Sequence, residues 1–97
     1  SLKKIREAEK LVGETFKGII ITVQSYGLFV ELPELFIEGL VHVSTLNDDW
    51  YEYRSRQNLL IGRKSKNTFR VGDLIDIKII KVDILKYQID LELVNKS

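Results

Sequence analysis

The sequence predicts an all-β fold: a five-stranded antiparallel barrel with a short N-terminal helix and a basic hairpin inserted between the third and fourth strands. Three observations carry that prediction. Apolar and polar residues alternate in stretches around Thr15, Leu28, Phe36, Ile75 and Ile89, the period of strands with one buried face. The apolar phase slips by one residue before Val23 and again before Val82, as β-bulges do. An open sheet of such strands would leave two bare edges, and closure into a barrel removes both.

Leu2, Ile5 and Ala8 recur at helical spacing among charges, continuing toward Leu11 and Val12, and Gly13 offers a stop. Residues 1–11 are therefore assigned to a helix and 12–97 to the barrel domain. The first strand starts at Thr15, with Phe16, Gly18 and Ile20 on one face and Lys17, Ile19 and Ile21 on the other. Gln24 to Gly27 turns the chain into a second strand, Leu28 to Leu32, which Pro33 ends. A third strand runs from about Phe36 to Val43, where Val41 and Val43 share a face and turn His42 outward. Residues 44–73 read as irregular apart from a small hairpin, Asn58 to Ile61 against Thr68 to Arg70, with a basic tip. Val71-Gly72-Asp73 turns into the fourth strand, on which Ile75, Ile77 and Ile79 alternate with Asp76 and Lys78. The fifth sets Ile89, Leu91 and Leu93 against Gln88, Asp90 and Glu92.

Composition excludes several functions. The chain has 97 residues, 44% hydrophobic and 30% charged, enough for one soluble domain with a modest core. With no Cys and a single His there is no disulfide, thiolate zinc site or cysteine nucleophile. No apolar run approaches the roughly 20 residues that span a bilayer. The charged opening is not a signal peptide, so no membrane and a cytoplasmic location are expected. The absence of Met points to a stretch of a longer protein. His42 is the sole imidazole, and no triad, phosphate-cradling loop or dinucleotide fingerprint is present. Asp48 and Asp49 are adjacent, so on extended chain they point apart, a poor metal pair. No catalytic residue, metal ligand or cofactor is assigned to this chain.

The net charge of +1 conceals a strong asymmetry. Residues 54–70 carry Arg54, Arg56, Arg63, Lys64, Lys66 and Arg70 with no acid, whereas residues 11–53 carry only Lys17 against seven acids. Such a block supplies a local field, or simply keeps a loop solvated. Tyr26, Phe29 and His42 are flat rings displaced from the core faces. Two roles fit them equally at this level: stacking on the bases of single-stranded nucleic acid, or capping a second small core under the helix or the insert. In the first case Lys17, Lys78, Lys81 and the basic block neutralise phosphates.

The same residues resemble a known family. Val12 to Glu31 (VGETFKGIIITVQSYGLFVE), Glu38 to Leu46 (EGLVHVSTL), Val71-Gly72-Asp73, Ile77 to Asp83 and Gln88 to Leu93 are similar to ribosomal-protein-S1-type RNA-binding domains. The resemblance covers residues 12–94 and implies a barrel of the oligonucleotide-binding (OB) type. The insert, with Asp48 to Tyr53, Asn58 to Gly62 and Phe69 to Asp73, resembles the C-terminal domain of the ribonuclease R group. That likeness implies a parent 3′–5′ exoribonuclease whose magnesium is held by a carboxylate cluster in a separate domain. It makes the helix the trailing end of that domain and the neighbouring nuclease domains its partners within one chain. Carried over by position, the family's RNA face falls on Tyr26, Phe29, His42 and Asp83. Tyr26 stands where Phe is usual, and Gln88 where a basic residue is often found. Asp83 also suits a plain turn residue that bonds backbone amides. The expected function is single-stranded RNA binding by a monomer that feeds a catalytic domain. An S1-type module of another nuclease or of a translation factor, or an OB-fold protein-interaction domain, also fits these residues.

Overall fold

The computed structural model describes residues 2–96. Ser1, Ser97 and the side chains of Leu2 and Lys3 lie outside the described residues, and with them Leu2's expected place on the helix stripe. The first element, α1 (Leu2–Glu9), is only eight residues long, too short to be stable in isolation. Ile5 and Ala8, one helical turn apart, are buried in the same core as the barrel strands. Burying Ile5 alone contributes about 1.5–3 kcal/mol. The helix ends at Glu9, earlier than the expected continuation toward Val12, which is exposed. Gly13 (φ +94°) then donates its amide to Ile79 O at 2.7 Å, so the helix is stopped by attachment to the barrel.

The barrel is closed in the order β1 (Thr15–Gln24), β2 (Gly27–Leu32), β3 (Ile37–His42), β8 (Gln88–Lys96) and β7 (Leu74–Asp83), and β7 pairs back onto β1. Four seams are antiparallel. The fifth, β3 with β8, is parallel and pairs Leu40 with Asp90 and Val41 with Leu91. An antiparallel reading by alternation alone does not distinguish that seam, because inward and outward residues alternate the same way in either direction. The β1–β2 register shifts between Ile20 and Thr22, and the β7–β8 register between Ile79 and Lys81. These are the two places where the apolar phase slips. A further shift, between Asp76 and Ile77, left no such mark in the sequence.

Ile20, Leu28, Val30, Leu32, Val41, Ile75, Ile77, Ile79 and Leu91 are fully enclosed. Among the described residues no polar or charged side chain is buried, so the interior carries no desolvation penalty for unpaired groups. Gly39 faces this interior beside Leu91. A Cβ there would stand 2.7 Å from Leu91 Cγ and 3.0 Å from Ile89 O. The bare glycine is what lets Leu91 fill the space behind the parallel seam.

Residues 44–73 are more ordered than expected. After a 3-10 turn, Val43–Thr45, the chain forms a three-stranded sheet of β4 (Tyr51–Arg54), β5 (Leu59–Gly62) and β6 (Thr68–Arg70). The strand β4 was not anticipated. It exists because Tyr53 pairs with Leu60 and Leu60 with Phe69, and Tyr51, Leu60 and Phe69 continue the barrel core. Lys96, at the end of β8, bonds Thr68 O, reaches Asp73 at 3.5 Å and lies 5.4 Å above the Phe69 ring. The insert is thus fastened to the barrel by apolar and ionic contacts together. Likewise the third barrel strand starts at Ile37, while Phe36 sits in the preceding turn with a left-handed φ of 54°.

Replacing Gly39 with Ala overpacks the seam and is expected to cost about 1–3 kcal/mol. A lower midpoint in urea denaturation, with α1 melting in the same transition, checks this.

Candidate nucleic-acid interface

The ring face is assembled by strand register. Gln24 pairs with Gly27, leaving Ser25-Tyr26 as a two-residue hairpin loop. The Tyr26 carbonyl accepts the Val43 amide at 2.8 Å, which ties that loop to the end of β3. Phe29 lies opposite Leu40, and Leu40 opposite Asp90, so one row crosses β2, β3 and β8 on the outside of the barrel. His42, two residues beyond Leu40, shares that face and sits opposite Gly27. The Tyr26 and Phe29 rings meet edge to face, with centroids 6.0 Å apart and planes at 87°, a favoured aromatic geometry.

Of the three rings, two are open to solvent and one is half-buried. Tyr26 is 49% exposed and the His42 side chain 42% exposed, while Phe29 is half-buried against Tyr26. Neither the helix nor the insert seals them in. Tyr26, Phe29 and Leu40 line a cleft of about 780 Å³ that continues to Gln88, Tyr87 and Phe36. Beside it, His42 Nε2 is 3.7 Å from Asp90 Oδ1, an ion pair when the imidazole carries its second proton. Gln88 Nε2 donates to the same carboxylate oxygen at 2.8 Å. His42, Asp90 and Gln88 therefore form a polar border along an apolar cleft.

Other expected residues fall differently. Asp83 does not line the cleft; its Oδ1 accepts the Lys86 amide at 3.1 Å and shapes the β7–β8 turn. That turn in turn presents Lys86 and Tyr87 to the cleft. Lys17 pairs with Asp76 at 2.9 Å on the β1–β7 seam. It stands five residues before Thr22, the partner of Phe29, or about 17 Å along the strand. Lys17 is thus not brought to the rings. Sequence reasoning missed Phe36, Tyr87, Lys86 and Lys4 of the cleft, where Lys4 Nζ lies 5.7 Å from the Phe36 centroid. The argument applied to Tyr26, an aromatic ring in a turn, would have found Tyr87; Phe36 was hidden by its assignment to the third strand.

Arg63, Lys64 and Lys66 are exposed at the β5–β6 tip, and none of them enters an ion pair among the described residues. The tip is organised by Asp49. Its carboxylate accepts the Ser65 amide at 2.8 Å, the Ser65 hydroxyl at 2.8 Å, the Lys64 amide at 3.1 Å and the Trp50 amide at 2.7 Å. The Ser65 amide leads in holding this carboxyl down to about 2, from an ordinary 3.8. Asp48 instead accepts the Tyr51 hydroxyl at 3.0 Å. Burial, reinforced by that carboxylate, pushes the Tyr51 phenol up. Among the described residues, no group of three or more acidic or His side chains is placed to hold a metal ion.

Comparison with known proteins adds three findings. Residues 9–93 match the family model described as S1 RNA binding domain. The chain is 51% identical over 96 residues to the acetazolamide conferring resistance protein zam of Synechocystis, and 40% identical over 97 residues to ribonuclease R of Thermotoga maritima. These alignments cover 99% and 100% of this chain, which spans only 12% and 14% of those proteins. Mycoplasma genitalium RNase R, solved in complex with ribose methylated single-stranded RNA, superposes with a TM-score of 0.87 at 28% identity, over 93% of this chain and 14% of that one.

The Asp49 clamp has a pH signature. A carboxyl whose folded pKa is depressed contributes above its unfolded value, and the contribution is lost as pH falls through the folded value. Amide proton shifts of Lys64 and Ser65 should therefore stay constant down to about pH 4 and titrate with a midpoint near 2. Asp49→Asn should abolish that titration.

Proposed function

The chain belongs to the S1 RNA binding domain family, and from that premise we propose that it clamps single-stranded RNA and feeds it to a 3′–5′ exoribonuclease domain of the same polypeptide. The observation that carries this reading is the uncovered ring cleft across β2, β3 and β8. Flat bases gain about 1–3 kcal/mol each by stacking on aromatic faces, and Tyr26 and Phe29 offer such faces. His42, Asp90 and Gln88 hydrogen-bond base edges or the 2′-hydroxyl along the border. Lys86 and the basic tip, Arg63, Lys64 and Lys66, hold phosphates, while Asp83 acts indirectly by fixing the turn that carries Lys86. Base preference is weak, since every base has a π-face.

The similarity to ribonuclease R and the single-stranded RNA in the Mycoplasma genitalium complex support this context. Hydrolysis, with its magnesium and carboxylates, belongs in this reading to a domain outside this chain, and α1 is the trailing end of the segment before the barrel. The barrel itself takes no cofactor and works as a monomer in the cytoplasm. Among the described residues no helix is long and apolar enough to cross a membrane.

A chemical-shift map with a short oligouridylate should move Tyr26, Phe29 and His42, and silence there would overturn the reading. The double variant Tyr26→Ala, Phe29→Ala should bind at least about tenfold more weakly with an unchanged melting profile beyond the loss of one half-buried ring. Neutralising Arg63, Lys64 and Lys66 should flatten the salt dependence, lowering the slope of log K against log salt by about 2.

A further inference from the structure

A second aromatic surface lies on the insert, apart from the ring cleft. Trp50 is 72% exposed, an unusual position for the largest apolar side chain in a chain whose interior is otherwise well filled. It is held firmly at its backbone: its amide donates to Asp49 Oδ1 at 2.7 Å and its carbonyl accepts the Arg63 amide at 2.9 Å. The same Asp49 carboxylate grips Lys64 and Ser65 across the tip. Trp50, Arg63 and Lys64 thus surround one shallow depression of about 400 Å³, and its lining shares no residue with the ring cleft.

Asp48 and Asp49 also line this depression, and hydrogen bonds from neutral amides and hydroxyls orient these carboxylates without cancelling their charge. Neither forms a side-chain ion pair with Arg63 or Lys64 among the described residues. Arg63 and Lys64 are left facing solvent beside an open indole. A flat, uncovered ring next to two unpaired cations matches a base joined to its phosphates, because the ring stacks and the cations neutralise. A protein partner would more typically require an apolar patch larger than one ring.

We propose that Trp50, with Arg63 and Lys64, is a second stacking site for single-stranded RNA, engaged only by strands long enough to reach beyond the ring cleft. The inference rests on the reading of the chain as an RNA binder and adds a separate contact to it. The two sites are joined by a short stretch of chain. The insert leaves the barrel at His42, whose neighbour Val43 is bonded to Tyr26, and Trp50 follows eight positions after His42. Those residues span at most about 28 Å, so a 20-nucleotide strand is long enough to touch both sites.

Trp50 is the only tryptophan, so its emission reports this site without labelling. With the 97-residue chain, a 20-nucleotide oligouridylate should change that emission, whereas a four-nucleotide one that saturates the Tyr26 and Phe29 shifts should not. Trp50→Ala should weaken the 20-mer by about fivefold or more and leave the four-mer within twofold, and Trp50→Phe should restore most of the loss. Emission unaltered by saturating 20-mer, or equal effects of Trp50→Ala on both lengths, overturns the proposal and leaves the patch to a protein partner. The outcomes separate from those of the cleft: the Tyr26→Ala, Phe29→Ala variant should lose the four-mer yet keep a weakened emission response to the 20-mer.

Discussion

The parallel seam between β3 and β8 is the constraint on which the remaining structure depends. Only Leu40 with Asp90 and Val41 with Leu91 pair across it, yet it turns a curled sheet into a closed barrel. Closure commits Val41 and Leu91 to the interior. Strand alternation then commits His42 and Asp90 to the outside, and the β2–β3 register brings Phe29 and Tyr26 beside them. The ring face is therefore a by-product of where the aliphatic residues must go. Gly39 is part of the same arrangement, since its missing side chain is where Leu91 packs.

Most of the barrel was legible because its signal is local. Alternation marks each strand, and slips in alternation mark the bulges at Ile20/Thr22 and Ile79/Lys81. The outward aspect of Tyr26, Phe29 and His42 follows from the same period. What escaped depends on contacts between segments far apart in the chain. The strand Tyr51–Arg54 alternates rings with charges over only four residues, and it is a strand because it pairs with Leu59–Gly62, which pairs in turn with Thr68–Arg70. The position of Lys17 away from the rings required the β1–β7 register. The role of Asp49 required knowing that Lys64 and Ser65, fifteen and sixteen residues on, fold back onto it. Tyr87 was passed over because its turn was treated as a connection, and Phe36 because it was assigned to the third strand, although each holds a left-handed backbone and an exposed ring.

Electrostatically, the chain separates its charges by element. Acids on the strands are engaged locally, as with Asp76 and Lys17 or Asp90 and Gln88, whereas the tip cations are left unpaired among the described residues. A net charge near zero is thus compatible with a concentrated positive field at one end of the insert. Asp49 is the one acid built into the tip: its carboxylate, held ionised by backbone amides, gives the loop its shape.

The shared core of barrel and insert has a further meaning. Leu60 and Phe69 belong to the same packed cluster as Leu28 and Ile79, and Lys96 clasps the two parts from the side. The barrel wall and the outlying sheet therefore share one core, and the interval between them is set by that packing. On the proposed reading, that interval sets the shortest strand able to bridge the two aromatic surfaces.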